Sequence, residues 1–183
     1  MFDLNGKNAL ITGASGGIGA AIARLLHNRG ANVILSGTQI ERLNSLSEEL
    51  GERAIVIAAN LSDKEAANDL AKTAQDQVGV IDVLINNAGL TRDNLAMRMS
   101  DEDWQLVLDV NLSAAFRLSK SVLRLMMKNR WGRIINVTSV VGSIGNPGQI
   151  NYASSKSGLT GMTKALAQEV ASRGITVNCV SPG

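Results

Sequence analysis

Two stretches of the sequence combine residue types that do chemistry at spacings a fold can use. The first is Thr12-Gly-Ala-Ser-Gly-Gly-Ile-Gly19, which follows a short apolar run and opens onto the helical pattern Ala20 to Asn28. A helix N-terminus reached through small residues binds anions, because its free N–H groups and the positive end of its dipole meet a phosphate that no Cβ keeps away. The glycines stand at 13, 17 and 19, with Gly16 extra, so the form is not Gly-x-Gly-x-x-Gly although the mechanics are the same. These residues read equally as a plain tight turn between a strand and a helix. The second stretch holds Tyr152 and Lys156, four residues apart and so on one helix face, with Ser139 thirteen residues before the tyrosine. A phenol, an ammonium and a hydroxyl are the parts of proton transfer at an oxygen. Taken singly they are a half-buried amphipath, a solvated charge and a strand-end turn residue. Between the two stretches, Asn86-Asn-Ala-Gly89 closes another apolar run, where Asn and Gly also suit a simple turn.

The elements that must position these groups follow from periodicity. Short β-branched runs alternate with longer amphipathic ones, the pattern of βαβ units and an α/β fold whose parallel sheet is covered on both faces. Strands are expected near Asn8 to Ile11, Asn32 to Leu35, Arg53 to Ala58, Ile81 to Ile85, Arg133 to Val137 and Ile175 to Val180, with helices between them. Ser62-Asp-Lys-Glu65 reads as a capping box, and Ser100-Asp-Glu-Asp103 has the same form with Asp for Glu. Gly30, Gly51 and Gly174 each close a helical pattern where a left-handed residue is needed. The stretch Gly142 to Gly148 is the densest turn segment, between the fifth strand and the last helix.

Composition bounds the function. The 183 residues, 45% hydrophobic and 19% charged, suit a single folded domain over 1–183. One cysteine, Cys179, and one histidine, His27, leave no disulfide and no zinc cluster, and no metal is expected. Cys179 falls in a strand and is expected to be buried and inert, His27 at a helix end. A net charge of +2 and 3% aromatics argue against nucleic acid. The first strand starts at about Lys7 and no apolar run approaches about 18 residues, so a soluble, cytoplasmic protein is expected, with no membrane partner.

Together, Thr-Gly-x-x-x-Gly-x-Gly at 12–19, Asn-Asn-Ala-Gly at 86–89, a helical Asn111, Ser139, Tyr-x-x-x-Lys and Pro182-Gly183 resemble the short-chain dehydrogenases/reductases in order and spacing. The resemblance covers the whole chain. It implies a Rossmann-like doubly wound sheet of strand order 3-2-1-4-5-6, with a seventh strand and a substrate-covering segment expected after Gly183. It implies hydride transfer between a nicotinamide dinucleotide and a carbonyl or alcohol carbon. The cofactor would meet Gly13, Ser15, Gly16, Gly17, Ile18, Gly19, Thr38, Asn60, Leu61, Asn87, Ala88, Gly89, Tyr152, Lys156, Pro182 and Gly183. A carbonyl that accepts hydride needs a proton donor and a second hydrogen bond at its oxygen, which Tyr152 and Ser139 would supply. Free tyrosine titrates near pH 10, and a cation about 4 Å away offsets about 4 kcal/mol at an effective dielectric of about 20, the magnitude required of Lys156. Lys156 would also meet the ribose, and Asn111 would hold a water that links the lysine to solvent. No acid stands in Leu35-Ser-Gly-Thr-Gln39, which favours NADPH and makes Thr38 and Arg42 candidates for its 2′-phosphate. Gly16 stands where many NADPH-using relatives carry arginine, so NADH is kept open.

Within the family, Gly89-Leu-Thr-Arg-Asp-Asn94, Met97-Arg-Met99, Val140-Val-Gly142, Gly145-Asn146 and Ala171 to Val177 resemble the members that reduce 3-oxoacyl groups on acyl carrier protein. That carrier is acidic, so a basic patch near the site is expected, and Arg130 and Arg173 match the docking positions. Arg117, Lys120, Arg124, Lys128, Arg130 and Arg133 form an acid-free run, which the helix dipole alone also favours, since Asp101, Glu102 and Asp103 open the same helix. The resemblance implies a homotetramer, or a homodimer for a shortened chain, built on the helices from near Asp101 and Tyr152. Their Trp104, Leu108, Leu112, Leu118, Leu159, Met162 and Leu166 suit either an interface or the sheet. Other carbonyl or coenzyme A thioester substrates remain alternatives, as does a nucleotide-binding module with little turnover.

Overall fold

The structure is a computed structural model that describes residues 3–183. Six parallel strands, β1 (Asn8–Thr12), β2 (Asn32–Ser36), β3 (Ala54–Val56), β4 (Val83–Asn86), β5 (Gly132–Val137) and β6 (Ile175–Val180), form one sheet in the order β3-β2-β1-β4-β5-β6. The helices are α1 (Gly17–Asn28), α2 (Ile40–Leu50), α3 (Ala66–Val78), α4 (Asp101–Leu108), α5 (Ala114–Asn129), α6 (Val141–Ile144) and α7 (Ile150–Val170). The sheet order and the α/β class are those the sequence pattern and the resemblance imply.

Alternation along each strand splits the core in two. Leu10, Ile34, Leu84 and Ile134 point to the face covered by α3, α5 and the end of α7, where Leu70, Leu118, Met126 and Val170 are buried. Ala9, Ile11, Val33, Leu35, Val83 and Ile85 point to the opposite face, covered by Ala23 of α1 and Leu43 and Leu46 of α2. A strand buried on both faces is apolar at successive positions, which explains why these runs show no polar alternation. The order reverses direction after β3, so the crevice above the carboxyl ends of β1 and β4 lies between helices that leave on opposite faces.

Local chemistry departs from expectation at four places. Ser62 does not cap α3: its hydroxyl donates to Asn60 Oδ1, and Asp63 accepts the Glu65 N–H in a turn of its own. Ser100 accepts the Asp103 N–H at 3.1 Å, and the Asp103 carboxylate turns to Arg92 at 3.8 Å, so half of that box forms. β3 is shorter than the expected Arg53 to Ala58: at its start Arg53 sits at φ 70° and donates to the carbonyls of His27 in α1 and Ala31 just before β2, and at its end the regular strand stops at Val56. The turn-rich stretch after β5 begins with the helical turn α6.

Gly30, Gly51 and Gly174 all have positive φ, as the helix endings require. Gly174 is the demanding one: at φ 72° a Cβ there would run into the carbonyl oxygen of Arg130, itself left-handed at φ 52°. Gly161, inside α7, has nothing within 4 Å of a Cβ position. Gly174→Ala is therefore expected to cost at least about 2 kcal/mol of unfolding free energy, and Gly161→Ala to add about 0.5–1 kcal/mol. Urea titrations of the two variants check both signs, and equal midpoints would reject the account.

Candidate active site

The glycine turn is shaped by contacts that leave no room for side chains. Gly13 has φ 65°, and a Cβ on Gly19 would strike the Gly13 carbonyl and come within 2.8 Å of Asn87 Nδ2. At Gly17 a Cβ would meet nothing, so the start of α1 opens onto a cleft. Gly16 is the N-cap, no side chain caps the helix and its first turn holds no acid, which leaves the first N–H groups free for an anion. The turn is fastened to the end of β4 by Thr12. Its Oγ1 donates to the Ile85 carbonyl at 3.2 Å and accepts the N–H groups of Asn87 at 3.1 Å and Ala88 at 3.0 Å, while Asn87 Nδ2 donates to the carbonyls of Thr12 and Gly13.

The resulting cleft, about 440 Å³, is lined by Gly13, Ser15, Gly16, Gly17, Ile18, Gly19, Thr38, Asn60, Leu61, Asn87, Ala88 and Gly89, together with Ser36, Gly37 and Gln39. No carboxylate lines it. Arg42 is exposed on α2 and is not among the lining residues. Bare helix N–H groups and the absence of acid fit a dinucleotide phosphate.

A second recess of about 560 Å³ shares Ile18, Asn87, Gly89 and Leu90 with the first and adds Ser139, Tyr152, Lys156, Pro182 and Gly183. Lys156 is 3% exposed. Its Nζ donates to the Val137 carbonyl at 2.8 Å and lies 5.5 Å from the centre of the Tyr152 ring. Burial pushes the ammonium down to about 8, so this lysine can exchange its proton far more readily than an exposed one. Ser139 Oγ accepts the Val141 N–H at 3.2 Å, which orients the hydroxyl at the carboxyl end of β5.

Asn111 lies in a π-helical turn, Asp109–Ser113, between α4 and α5. Its Oδ1 accepts the Leu90 N–H at 2.9 Å, and its Nδ2 donates to the Leu90 carbonyl at 3.0 Å and to Ser155 Oγ at 3.1 Å. A Cβ on Gly89 would sit 3.3 Å from Asn111 Oδ1 and 3.5 Å from Lys156 Nζ, so Gly89, Asn111 and Lys156 converge on one point. Sequence reasoning assigned nothing to Thr12, Asn151 and Ser155, all buried. Thr12 opens the glycine motif and Ser155 lies inside Tyr-x-x-x-Lys, so their positions were visible and their partners were not.

Other expected residues lie elsewhere. Arg130 and Arg173 are exposed at the amino ends of β5 and β6, the sheet edge opposite the recess, so a basic patch beside the site does not form from them within one chain. Within the basic run, Lys120, Arg124 and Lys128 are exposed, Arg133 stacks on Trp131 with Cζ 4.5 Å from the ring centre, and Arg117 buries an Nη1 without a partner. Leu118 and Leu159 face the core, while Trp104, Leu108, Leu112, Met162 and Leu166 are half-buried. Cys179 is half-buried rather than fully buried, its Sγ 3.1 Å from Thr163 Oγ1 on an edge strand. His27 ends α1 with Nε2 at 2.8 Å from the Glu52 carbonyl. Among the described residues no cluster of three metal-ligating side chains occurs, and no helix is long and apolar enough to cross a membrane.

Comparison with known proteins agrees with this geometry. The family model described as short chain dehydrogenase matches residues 7–183. The chain is 56% identical over 183 residues to Nodulation protein G of Rhizobium sp. (strain N33), covering 100% of this chain and 75% of that protein. It is 54% identical over 183 residues to 3-oxoacyl-[acyl-carrier-protein] reductase FabG of Rickettsia felis, covering 100% and 74%. A crystal structure described as a short-chain alcohol dehydrogenase from Sinorhizobium meliloti 1021 superposes with a TM-score of 0.93 at 37% identity, covering 99% of this chain and 73% of that one. With a family match over residues 7–183 and a likeness that runs from end to end, this chain belongs to the short-chain dehydrogenase family and is an oxidoreductase.

Proposed function

We propose that the chain reduces a 3-oxoacyl thioester carried on acyl carrier protein to the 3-hydroxyacyl thioester, with NADPH as reductant. The observation that carries this reading is that Ser139, Tyr152 and Lys156 line one recess that opens into the glycine-turn cleft across Gly89 and Leu90. The nicotinamide dinucleotide supplies the hydride when bound.

The chain's own residues divide the remaining work. The first N–H groups of α1 hold the pyrophosphate, with Ser15, Gly16 and Ile18 along its path and Asn60 and Leu61 at the adenine. Thr38 would meet the adenosine 2′-phosphate, and the lack of a carboxylate in the cleft admits that charge. Pro182 and Gly183, which line the recess with Tyr152 and Lys156, would lie beside the nicotinamide. At the reacting carbonyl, Ser139 donates a hydrogen bond to the oxygen and Tyr152 gives it the phenolic proton as negative charge develops. Lys156 favours the phenolate left behind and passes it a proton, a role suited to an ammonium held near 8. Asn111 fixes Leu90 beside this route and connects the lysine to solvent through water.

The carrier would dock on Arg130 and Arg173. β5 spans six residues, about 20 Å of rise, so a carrier at its amino end serves the recess of another copy more readily than the recess of its own chain. This favours an assembly of several copies, and a cytoplasmic homotetramer is the form proposed. A second reading keeps the chemistry and changes the acyl substrate, and the 56% identity to a protein named Nodulation protein G supports it.

Three outcomes follow. Tyr152→Phe is expected to lower kcat by about 10²- to 10⁴-fold while the NADPH dissociation constant changes less than about twofold, and undiminished turnover would reject Tyr152 as proton donor. Charge reversal at Arg130 (Arg130→Glu) is expected to lower kcat/KM for an acyl-carrier substrate and to spare the coenzyme A thioester; equal effects on both would sink the docking role. The third concerns pH. Because Lys156 is pushed down to about 8 from the ordinary 10.5, the unfolded chain binds more protons between those values, so the lysine's destabilising effect below pH 8 fades as pH rises to 10.5. The stability of the parent relative to Lys156→Met should climb across that window, by at most about 1.4 kcal/mol per pH unit, and a flat difference in thermal melts would contradict the burial argument.

A further inference from the structure

Asn151 precedes the tyrosine and is 0% exposed, a rare place for a side-chain amide unless its hydrogen bonds are used. α7 has no side-chain N-cap and no acid in its first turn, so its leading N–H groups need other partners. Asn151 supplies one: its Oδ1 accepts the Tyr152 N–H at 2.7 Å. Its Nδ2 points the other way and donates to the Arg92 carbonyl at 2.9 Å, with the Asp103 carbonyl at 3.5 Å. The other side of Tyr152 is tied in the same manner. Its carbonyl accepts from Ser155 Oγ at 2.7 Å, and that oxygen in turn accepts from Asn111, which grips both backbone groups of Leu90. Both main-chain polar groups of Tyr152 are therefore connected, through buried side chains, to one short segment from Leu90 to Arg92.

That segment has no regular secondary structure. The residues that follow it are tied to the start of α7: Gln149 Nε2 donates to Asp93 Oδ2 at 3.0 Å and the Asn94 N–H donates to the Gly148 carbonyl at 2.8 Å. Leu90 and Thr91 form a wall of the recess that Tyr152 enters.

We propose that Asn151 is a positioning residue that sets the Tyr152 phenol against the Leu90–Arg92 wall, so that proton donor and substrate carbonyl meet at reacting distance. The inference rests on Tyr152 as the proton donor, and it assigns Asn151 no contact with substrate. A misplacement of about 1 Å at a reacting centre costs on the order of 100-fold in rate.

The test uses the full chain with NADPH and acetoacetyl-coenzyme A, comparing Asn151→Ala and Asn151→Asp with the parent. The aspartate keeps an acceptor for the Tyr152 N–H and loses the donor to Arg92. Both variants are expected to lose about 100-fold in kcat, with KM and the NADPH dissociation constant within about threefold of the parent, and to speed hydrogen exchange at the Tyr152 amide in Asn151→Ala. A kcat within about threefold of the parent in either folded variant overturns the proposal, and so does a loss of NADPH binding as large as the loss of kcat. Should the parent reduce no thioester, the substrate reading fails on its own, and unchanged protection of the Tyr152 amide in Asn151→Ala then decides against the positioning role.

Discussion

One hydroxyl fastens the working edge of this sheet. Thr12 Oγ1 bridges the end of β1 to the end of β4, donating to one carbonyl and accepting two N–H groups from the segment that follows β4. A neighbouring pair of parallel strands needs no such bridge for its own ladder. The bridge is needed because the chain leaves both strands at this edge in irregular turns, whose backbone groups would otherwise lie unpaired under a cleft. With Thr12 in place, Asn87 can reach across to the Thr12 and Gly13 carbonyls, and the close packing of Gly19 on Gly13 becomes possible. The shape of the glycine turn thus depends on a buried hydroxyl at its root.

A second constraint runs through the interior of the other half of the sheet. Asn86 on β4 donates to Asn136 directly opposite on β5, Asn136 donates to Thr163 on α7, and Cys179 on β6 reaches the same Thr163 oxygen. An amide ladder costs more to bury than leucines would, and each member must be satisfied for it to break even. One atom, Asn86 Oδ1, has no partner. What the ladder provides is registration: apolar contacts between α7 and the sheet tolerate sliding, whereas a directional bond from Asn136 to Thr163 does not. Registration matters here because Lys156 must reach the Val137 carbonyl at the end of the same strand.

Much of this architecture is legible in the residues, and the parts that are not share a cause. Strands buried on two faces announce themselves as continuous apolar runs, and left-handed helix ends announce themselves as glycines at 30, 51 and 174. The glycine turn and the Tyr-x-x-x-Lys spacing are local, so the resemblance to known dehydrogenases could carry cofactor and proton-transfer residues onto numbered positions, all of which save Asn111 and Arg42 line the two adjoining recesses. Ser62 misled because a capping pattern four residues long was equally able to close a turn on Asn60. Arg53 misled because a side chain able to cap α1 from 26 residues away outweighed a left-handed backbone strain that only tertiary contact repays. The tying roles of Thr12, Asn151 and Ser155 depend on partners distant in sequence, which no spacing encodes.

The π-helical turn at Asp109–Ser113 bears on how this chain can vary. Such a turn carries one residue more than an α-helical turn, and each residue of a helix is worth about 100° of rotation and about 1.5 Å of length. The buried stripe therefore changes phase along the run from α4 to α5, with Val107 buried before the bulge, Val110 within it and Leu118, Val122 and Met126 after it. Removing a single residue there would shorten the pair by little, yet it would swing the buried stripe of one half out of alignment with its neighbours. An apolar side chain in this stripe can be exchanged for another without changing its phase, whereas an insertion or deletion between Asp101 and Asn129 is resisted by angle rather than by length.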